Sequence, residues 1–214
     1  MIDFAAVAKE SHATAVEKGW YEQDEQGEIK QRYLDEVCSL FHSEISEAVE
    51  ELRNPKAHPI YYVVLGDIWV HDPVNFPQGR VDLDKKVLKP EGVAVELADL
   101  IIRLGDSCEA WNCTQGAVGT LEEMRKTSYR ALGRSPVGSM IDLHIAVDDV
   151  YKRLQIREMV GKPLNDCITE LAIAVLINAT EFICMAYGWD LERAIQIKLA
   201  YNKTRPFRHG GKKA

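Results

Sequence analysis

Residues 93–104 have the sequence VAVELADLIIRL, in which nearly every side chain is apolar. The exceptions are Glu96, Asp99 and Arg103, and their spacing of three and four residues places them on one face of a helix. A helix that is apolar on its other sides has to lie in the protein core. A carboxylate there is costly unless it is paired with a cation or bound to a metal. The stretch therefore predicts a buried helix with a charged line that faces other helices.

Helical periodicity continues over almost all of the 214 residues, so we expect a mainly α fold, a bundle of about seven helices. The expected helices lie near residues 3–18, 28–53, 91–111, 120–132, 138–158, 163–187 and 190–203. A short β-hairpin insertion is expected near residues 60–71, because apolar and aromatic side chains there flank the turn-forming pair Gly66-Asp67.

A weak internal repeat suggests how the bundle is organised. The strings ELADLII and ELAIAVL, which begin at Glu96 and Glu170, each follow an amphipathic helix. Ile173 in the second string replaces the aspartate of the first. We therefore expect a degenerate internal duplication within one compact domain. Residues 1–136 form the unit with the intact acidic site, and residues 137–214 form a degenerate helical unit that ends in a basic tail.

Composition excludes several classes of protein. A net charge of −7 argues against a general nucleic-acid binder. Five cysteines, mostly in apolar stretches, indicate buried thiols in a reducing compartment, and the N-terminus lacks the pattern of a signal peptide. Residues 171–189 are apolar, but Glu181 lies in their middle, where a charge costs about 3 kcal/mol on insertion scales. We expect a cytoplasmic protein with neither membrane nor nucleic acid as a partner.

Two carboxylate motifs carry the expected chemistry. Glu44 and Glu47 lie on the second helix, where an isolated Glu-x-x-Glu pair is most often a solvated face. If they face Glu96 and Asp99, like charges about 4 Å apart repel by about 4 kcal/mol at an effective dielectric constant near 20. Arg103 neutralises one carboxylate, but not four. Oxygen-only ligation favours Mg²⁺, with Mn²⁺ as a possible substitute, whereas di-iron bundles use Glu-x-x-His, which both motifs lack.

The ordered set of motifs resembles the MazG-like group of all-α nucleoside triphosphate pyrophosphohydrolases, which is related to the dimeric dUTPases. The strings that carry the resemblance span most of the chain and include Gly19-Trp20, HSEISEA at residues 42–48, KPEG at 89–92, ELAD at 96–99, KLAYNKTRP at 198–206 and HGGK at 209–212. Three features depart from the family pattern. Ser43 stands where many members have a further glutamate. The 48 residues between Glu47 and Glu96 form a longer gap than in compact relatives. The basic string belongs to the second unit rather than the first.

The resemblance implies a Mg²⁺-dependent hydrolysis of a (d)NTP to the (d)NMP and pyrophosphate, by a protein expected to be a homo-oligomer, a dimer. It implies that the metal ligands and catalytic residues are Glu44, Glu47, Glu96 and Asp99. The candidates for contact with phosphate or sugar are Lys198, Tyr201, Asn202 and Arg205. Trp20 is a candidate for stacking on the base, although a tryptophan in the core is an equal alternative.

Other functions stay open at this point. Within the enzyme class, the alternative is a dUTPase-like or dCTPase-like enzyme with a narrow base preference. Outside it, the chain is either a non-catalytic nucleotide or metal sensor, or a structural helical dimerisation module in which the acidic line pairs with Arg103 and Arg205. An intact set of four carboxylates favours the enzyme over both.

Overall fold

The computed structural model describes residues 1–22, 24–26, 29–30, 32–54, 58–64, 68–70, 89–126, 135–164 and 167–208. In this part of the chain there are seven helices and one small sheet. Their bounds are α1 (Phe4–Glu17), α2 (Leu34–Arg53), β1 (Tyr61–Val64), β2 (Ile68–Val70), β3 (Lys89–Glu91), α3 (Val93–Ala110), α4 (Thr114–Arg125), α5 (Pro136–Met159), α6 (Cys167–Tyr187) and α7 (Leu191–Thr204). The prediction of a mainly α bundle with a short hairpin is confirmed.

Side chains with oxygen acceptors cap three of the helices. Asp3 accepts a hydrogen bond from the backbone N–H of Ala6 at the start of α1, and Asp190 caps α7 in the same way. Ser135 caps α5, and Pro136 follows at the first helical position, where its missing N–H costs nothing. These caps satisfy backbone donors that a helix start otherwise leaves unpaired. They explain why the predicted starts of α1, α5 and α7 lie close to the observed ones.

Two helices differ from the prediction at their starts. Helix α2 begins at Leu34 rather than near residue 28, because Tyr33 is extended, with ψ of 136°. Helix α4 begins at Thr114, about two turns before the predicted start. Asn112 has a positive φ of 55°, which ends α3 and turns the chain directly into α4. The threonine and glycine residues in the first half of α4 are weak helix formers, so the sequence did not predict a helix start at Thr114. The end predicted at residue 132 lies outside the described residues.

The sheet has β1 at its centre, between β2 and β3, and both pairings are antiparallel. Tyr62 lies opposite Val70 in one pair and opposite Pro90 in the other. Strand β3 was not predicted, because a three-residue strand that contains proline lacks the usual strand pattern. Proline is tolerated there because β3 is an edge strand, which does not need every N–H.

Helix α3 lies at the centre of the part of the fold that positions the site. It packs against α1, α2 and α7, while α6 packs against α4 and α5, and α2 also packs against α5. The side chains of Leu97, Leu100 and Ile101 are completely buried in this core. A Cβ at Gly105 would lie 2.8 Å from the Cα atom of Ala8, so glycine permits the close approach of α1 and α3.

Among the described residues, α6 is long and apolar enough to cross a membrane, and 56% of its most apolar stretch is buried inside the protein. Helices α4 and α5 cover that part. The outward side of α6 is apolar as well, with Ile168, Leu171 and Val175 each about two-fifths exposed. The expectation of buried thiols is wrong for Cys167, which is exposed at the start of α6, whereas Cys38, Cys108, Cys113 and Cys184 are buried.

Candidate functional site

Three carboxylates from two helices meet in the interior. Glu44 comes from α2, and Glu96 and Asp99 come from α3; one oxygen of each lies within 4.8 Å of the others. Glu44 is only 3% exposed and Glu96 only 2%. Glu44 lies one residue before Ile45, which is completely buried, so the packing of α2 on α3 carries the carboxyl inward. Three of the four predicted acidic residues therefore form one cluster, which we call the carboxylate cluster.

Glu47, the fourth predicted carboxylate, lies at the edge of this arrangement. It is exposed, one turn after Glu44 on α2, and it lines the same pocket as the cluster. Ser43 Oγ donates a hydrogen bond to Glu47 Oε1 at 3.1 Å. The serine at the position that departs from the family pattern therefore holds a predicted site residue in place.

Two cations contact the carboxylate cluster. Arg103 Nε donates to Glu44 Oε1 at 2.5 Å, and Lys198 Nζ lies 2.6 Å from Asp99 Oδ2. The sequence predicted that Arg103 neutralises one carboxylate. It did not predict that Lys198, proposed there as a phosphate contact, is 2% exposed and paired with Asp99. The available signal was the surroundings of Lys198 in α7, since Ile197 and Leu199 flank it and a lysine among apolar residues needs an anionic partner.

Burial changes the acidity of two carboxyls. Burial raises the pKa of Glu44 to about 7, with Asp99 and Glu47 adding to the rise and Arg103 opposing it. Burial raises the pKa of Glu96 to about 8, where the charge of Lys198 opposes the rise and that of Asp99 adds to it. In both groups the cost of desolvating a charge exceeds the attraction of the nearby cation. A further positive charge at this position would favour the ionised form of both.

The donor set fits a hard divalent cation. The four predicted carboxylates outnumber the two contacting cations, which leaves a formal charge of −2 when all are ionised. Carboxylate oxygens are the ligands that Mg²⁺ and Mn²⁺ prefer, and Mg²⁺ is usually held by a few carboxylates together with substrate phosphates. Glu44, Glu96 and Asp99 are placed to hold such an ion, with Glu47 on the solvent side.

A pocket of about 400 Å³ adjoins the carboxylate cluster. This volume lies in the range of small-molecule sites. The predicted residues that line it, besides the four carboxylates, are Trp20, Lys198, Asn202 and Arg205. Tyr201 is not among the described lining residues; its ring lies 5.8 Å from Arg205 Cζ. Helix α7, from the second predicted unit, thus contributes to the pocket that holds the acidic residues of the first.

The turn that carries Trp20 is fixed by the C-terminal end of the described chain. Gly19 has a φ of +77°, and its carbonyl accepts a hydrogen bond from Arg208 Nε at 3.0 Å. A Cβ at Gly19 would lie 2.1 Å from the ring of Phe207. The close contact excludes larger residues at this position. The turn that is held in this way carries Trp20, which lines the pocket.

Asp106 is a pocket residue that the sequence analysis missed. It lies two turns after Asp99 on α3, on the same face, and lines the opposite end of the pocket from the carboxylate cluster. Tyr21 Oη donates to Asp106 Oδ1 at 2.7 Å, and His12 Nδ1 lies 2.8 Å from the same oxygen. The signal was present in the sequence, because Asp106 continues the line of Asp99 and Arg103 at helical spacing.

In comparisons with known proteins, no family model, no curated protein and no solved structure matches this chain. The assignment to the MazG-like group therefore remains a prediction from the motifs. Independently of any relative, the structure brings together a carboxylate cluster, the buried cation of Lys198, the partly exposed cation of Arg103 and a pocket large enough for a small molecule.

Proposed function

We propose that this protein is a Mg²⁺-dependent nucleoside triphosphate pyrophosphohydrolase, which converts a (d)NTP to the (d)NMP and pyrophosphate. One observation carries the proposal: the carboxylate cluster opens into the same pocket as Asn202 and Arg205 of the C-terminal region. A divalent cation suits the first set, and phosphate oxygens suit the second. A nucleoside triphosphate with its metal presents both chemistries in one molecule.

A purely structural network of ion pairs explains the site less well. Such a network would give each buried carboxylate a cation. In the described part of the chain, Glu96 forms no ion pair, although the charge of Lys198 is close enough to attract it. An ionised carboxylate without a partner is costly in the interior. Because burial raises the pKa of Glu96 to about 8, its ionised form near neutral pH requires a further cation, which a bound metal would supply.

The proposed reaction is attack of a water oxygen on the α-phosphorus. A new P–O bond forms there, the bond between the α-phosphorus and the bridging oxygen breaks, and pyrophosphate leaves. The water proton passes to one of the carboxylates acting as general base. Glu47 suits this role best, because it is exposed and forms no ion pair in the described region. A bound Mg²⁺ would supply neutralisation of the phosphate charge and orientation of the water.

Asn202 and Arg205 are proposed to bind the phosphates. Arg205 is half-buried and lines the pocket, and Asn202 lies three residues earlier, near the same end of α7. An arginine binds phosphate oxygens through paired N–H donors. For Lys198, expected from the sequence to contact phosphate, we propose the further role of positioning Asp99 through the 2.6 Å ion pair.

An assay of pyrophosphate release across the common nucleoside and deoxynucleoside triphosphates, with Mg²⁺ and with EDTA, tests the proposal. We expect metal-dependent release, a loss of at least about 100-fold in Glu47→Gln, and little change in Glu50→Gln. The control residue is on the same helix but pairs with Arg53 outside the pocket. Binding of a triphosphate without release from any of them would favour the sensor. Neither binding nor release would favour the structural module.

The helix contacts support the expected duplication. In the first unit α2 packs against α3, and in the second unit α5 packs against α6 in the same way. Between the units, α3 packs against α7, and correspondingly α6 packs against α4. Exchanging α2, α3 and α4 for α5, α6 and α7 therefore reproduces the same set of contacts. We propose that two copies of one unit pack about an approximate two-fold axis and exchange their last helices. This arrangement explains why the basic string of the second unit serves the acidic site of the first.

We also propose that two chains form a homodimer through the outer faces of α5 and α6. The outward stripe of α6 contains no charge; its members are Ile168, Leu171, Val175, Ala179, Phe182 and Ala186. Helix α5 adds the exposed side chains of Ile141 and Ile145. An exposed apolar patch of this kind on a protein surface marks an interaction site.

A second copy of the chain fits this face in size and in shape. A face about 30 Å long and about 20 Å wide buries on the order of 1,200 Å² over both copies, the lower end for a stable interface. In an antiparallel pair of α6 helices, Val175 comes opposite Ala179 and Ile168 opposite Ala186. Large residues then face small ones at the centre and at both ends of the contact, while Leu171 lies opposite Phe182 between them, and the pattern repeats about the two-fold axis.

A further inference from the structure

The end of the pocket beyond the carboxylate cluster contains a fixed hydrogen-bond acceptor. Asp106 is 14% exposed, and both of its described hydrogen bonds use Oδ1, with Tyr21 Oη at 2.7 Å and His12 Nδ1 at 2.8 Å. In the described part of the chain, Oδ2 accepts no hydrogen bond. Two donors from α1 and the turn after it therefore lock the carboxylate on α3 and leave one oxygen for a ligand.

The position of Asp106 relative to the other pocket residues suggests which part of a ligand it meets. Asp99 and Asp106 are seven residues apart on one helix, hence about 10 Å along its axis. If the phosphates lie at the carboxylate cluster, the nucleoside end extends toward Asp106. Trp20 lines the same pocket and directly precedes Tyr21, whose hydroxyl anchors Asp106. A base stacked on Trp20 would present its edge near the carboxylate.

We propose that Asp106 is a specificity-determining residue that selects bases with an amino group at pyrimidine C4 or purine C6, cytosine and adenine, over bases that carry a carbonyl at that position. This inference rests on the proposed pyrophosphohydrolase function. A carboxylate oxygen accepts hydrogen bonds and donates none. The amino group of cytosine or adenine donates to it, whereas the carbonyl oxygen of uracil, thymine or hypoxanthine faces it with another acceptor. The mismatch leaves Oδ2 of Asp106 without a hydrogen-bond donor, and a site built for hydrogen bonding rejects such analogues strongly.

Matched nucleotide pairs test the proposal, because CTP and UTP, and likewise ATP and ITP, differ mainly by amino against carbonyl. We expect kcat/KM to favour the amino member of each pair by at least about tenfold, the equivalent of one mismatched hydrogen bond. Asp106→Asn offers a donor as well as an acceptor at nearly constant shape. In this variant we expect the preference to fall to within about threefold.

A second variant separates base recognition from packing. Tyr21→Phe removes one anchor of Oδ1 but leaves Oδ2 in place, so we expect it to retain most of the preference. If Tyr21→Phe and Asp106→Asn lose the preference equally, the effect comes from the hydrogen-bonded group as a whole, and the assignment to Oδ2 is wrong. Equal hydrolysis of both members of each pair by the unmodified protein overturns the inference while the proposed function stands.

Binding of the monophosphates provides a readout that does not need turnover. Calorimetric titration with CMP and with UMP gives their affinities directly. If no triphosphate is hydrolysed, the proposed function fails. The inference about Asp106 is then decided by binding alone: tighter binding of CMP that Asp106→Asn removes supports it, and equal affinities contradict it.

Discussion

Lys198 Nζ lies 2.6 Å from Asp99 Oδ2, and this ion pair joins α7 to α3 inside the bundle. Lys198 is 2% exposed and the Asp99 side chain 16%, so water does little to screen the pair. Burial lowers the pKa of Lys198, but the charges of Asp99 and Glu96 raise it. The net effect is a raised pKa. Lys198 therefore stays charged over the working pH range and fixes the carboxylate that faces the pocket.

The first prediction concerns the loss of this pair. Lys198→Met leaves Asp99 without its cation, and we expect the free energy of unfolding to fall by about 3 kcal/mol. Lys203→Met is the control, since Lys203 pairs with Glu10 on the surface and should cost less than about 1 kcal/mol. Denaturant unfolding of both variants measures the difference. Equal losses would mean that the buried pair contributes no more than a surface pair.

Asp99→Asn tests the same pair from the other side. From the sequence alone, removal of a carboxylate relieves repulsion, so the variant would be expected to gain stability. The structure predicts the opposite, because the amide leaves Lys198 as a buried cation with a weaker partner. Thermal unfolding without metal decides between the two. A higher melting temperature than that of the unmodified protein would show that repulsion outweighs the ion pair.

The second prediction is a pH-dependent stabilisation by Mg²⁺. Glu44 and Glu96 have pKa values of about 7 and about 8, above those of free glutamate. A carboxyl whose pKa is raised by folding favours the folded state at low pH, and this contribution is lost as the pH rises through the folded pKa. Metal binding requires the ionised form. We therefore expect the metal-free protein to lose stability, and the gain in melting temperature with Mg²⁺ to grow, between about pH 6 and about pH 9.

Measurement of melting temperature at several pH values, with Mg²⁺ and with EDTA, checks this prediction. Binding to the native state has to raise the melting temperature. A gain that does not change with pH would show that the two buried glutamates are not the groups that bind the metal. No gain at any pH would favour the ion-pair scaffold.

The third prediction concerns the outer face of α6. Leu171→Glu places a charge in the middle of the apolar stripe, so we expect a dimer to dissociate to monomers without loss of helix content. Lys9→Glu changes an exposed residue of α1 and should leave the dimer intact. Light scattering after size-exclusion chromatography gives the mass of each. A monomeric unmodified protein, or a dimer that survives Leu171→Glu, would contradict the proposed interface.

The sequence predicted the helices and the acidic line because both depend on local periodicity. Residues 93–104 could lie only in a core, and the spacing of Glu96 and Asp99 then placed them together. The roles of Lys198 and Asp106 could not be predicted from local periodicity, because each depends on a contact with a residue that is distant in the sequence. Helical spacing shows that Asp106 shares a face with Asp99, but not that Tyr21 and His12 meet it there.

Strand β3 shows a different limit of the sequence analysis. The Lys89–Glu91 segment has no strand pattern of its own and is a strand only because β1 offers an edge to pair with. Glu47 shows the converse limit, since the family resemblance implied an equal role for it in the metal site. The structure places Glu47 at the exposed rim of the pocket, one turn after the buried Glu44 on α2.

The most direct test of the proposed function is hydrolysis in water enriched in oxygen-18, with mass spectrometry of the products. CTP and ATP are the substrates, in the presence of Mg²⁺. We expect equal amounts of monophosphate and pyrophosphate, with one heavy oxygen in the monophosphate and none in the pyrophosphate, because water attacks the α-phosphorus. Nucleoside diphosphate with labelled inorganic phosphate, or label in the pyrophosphate, would contradict it.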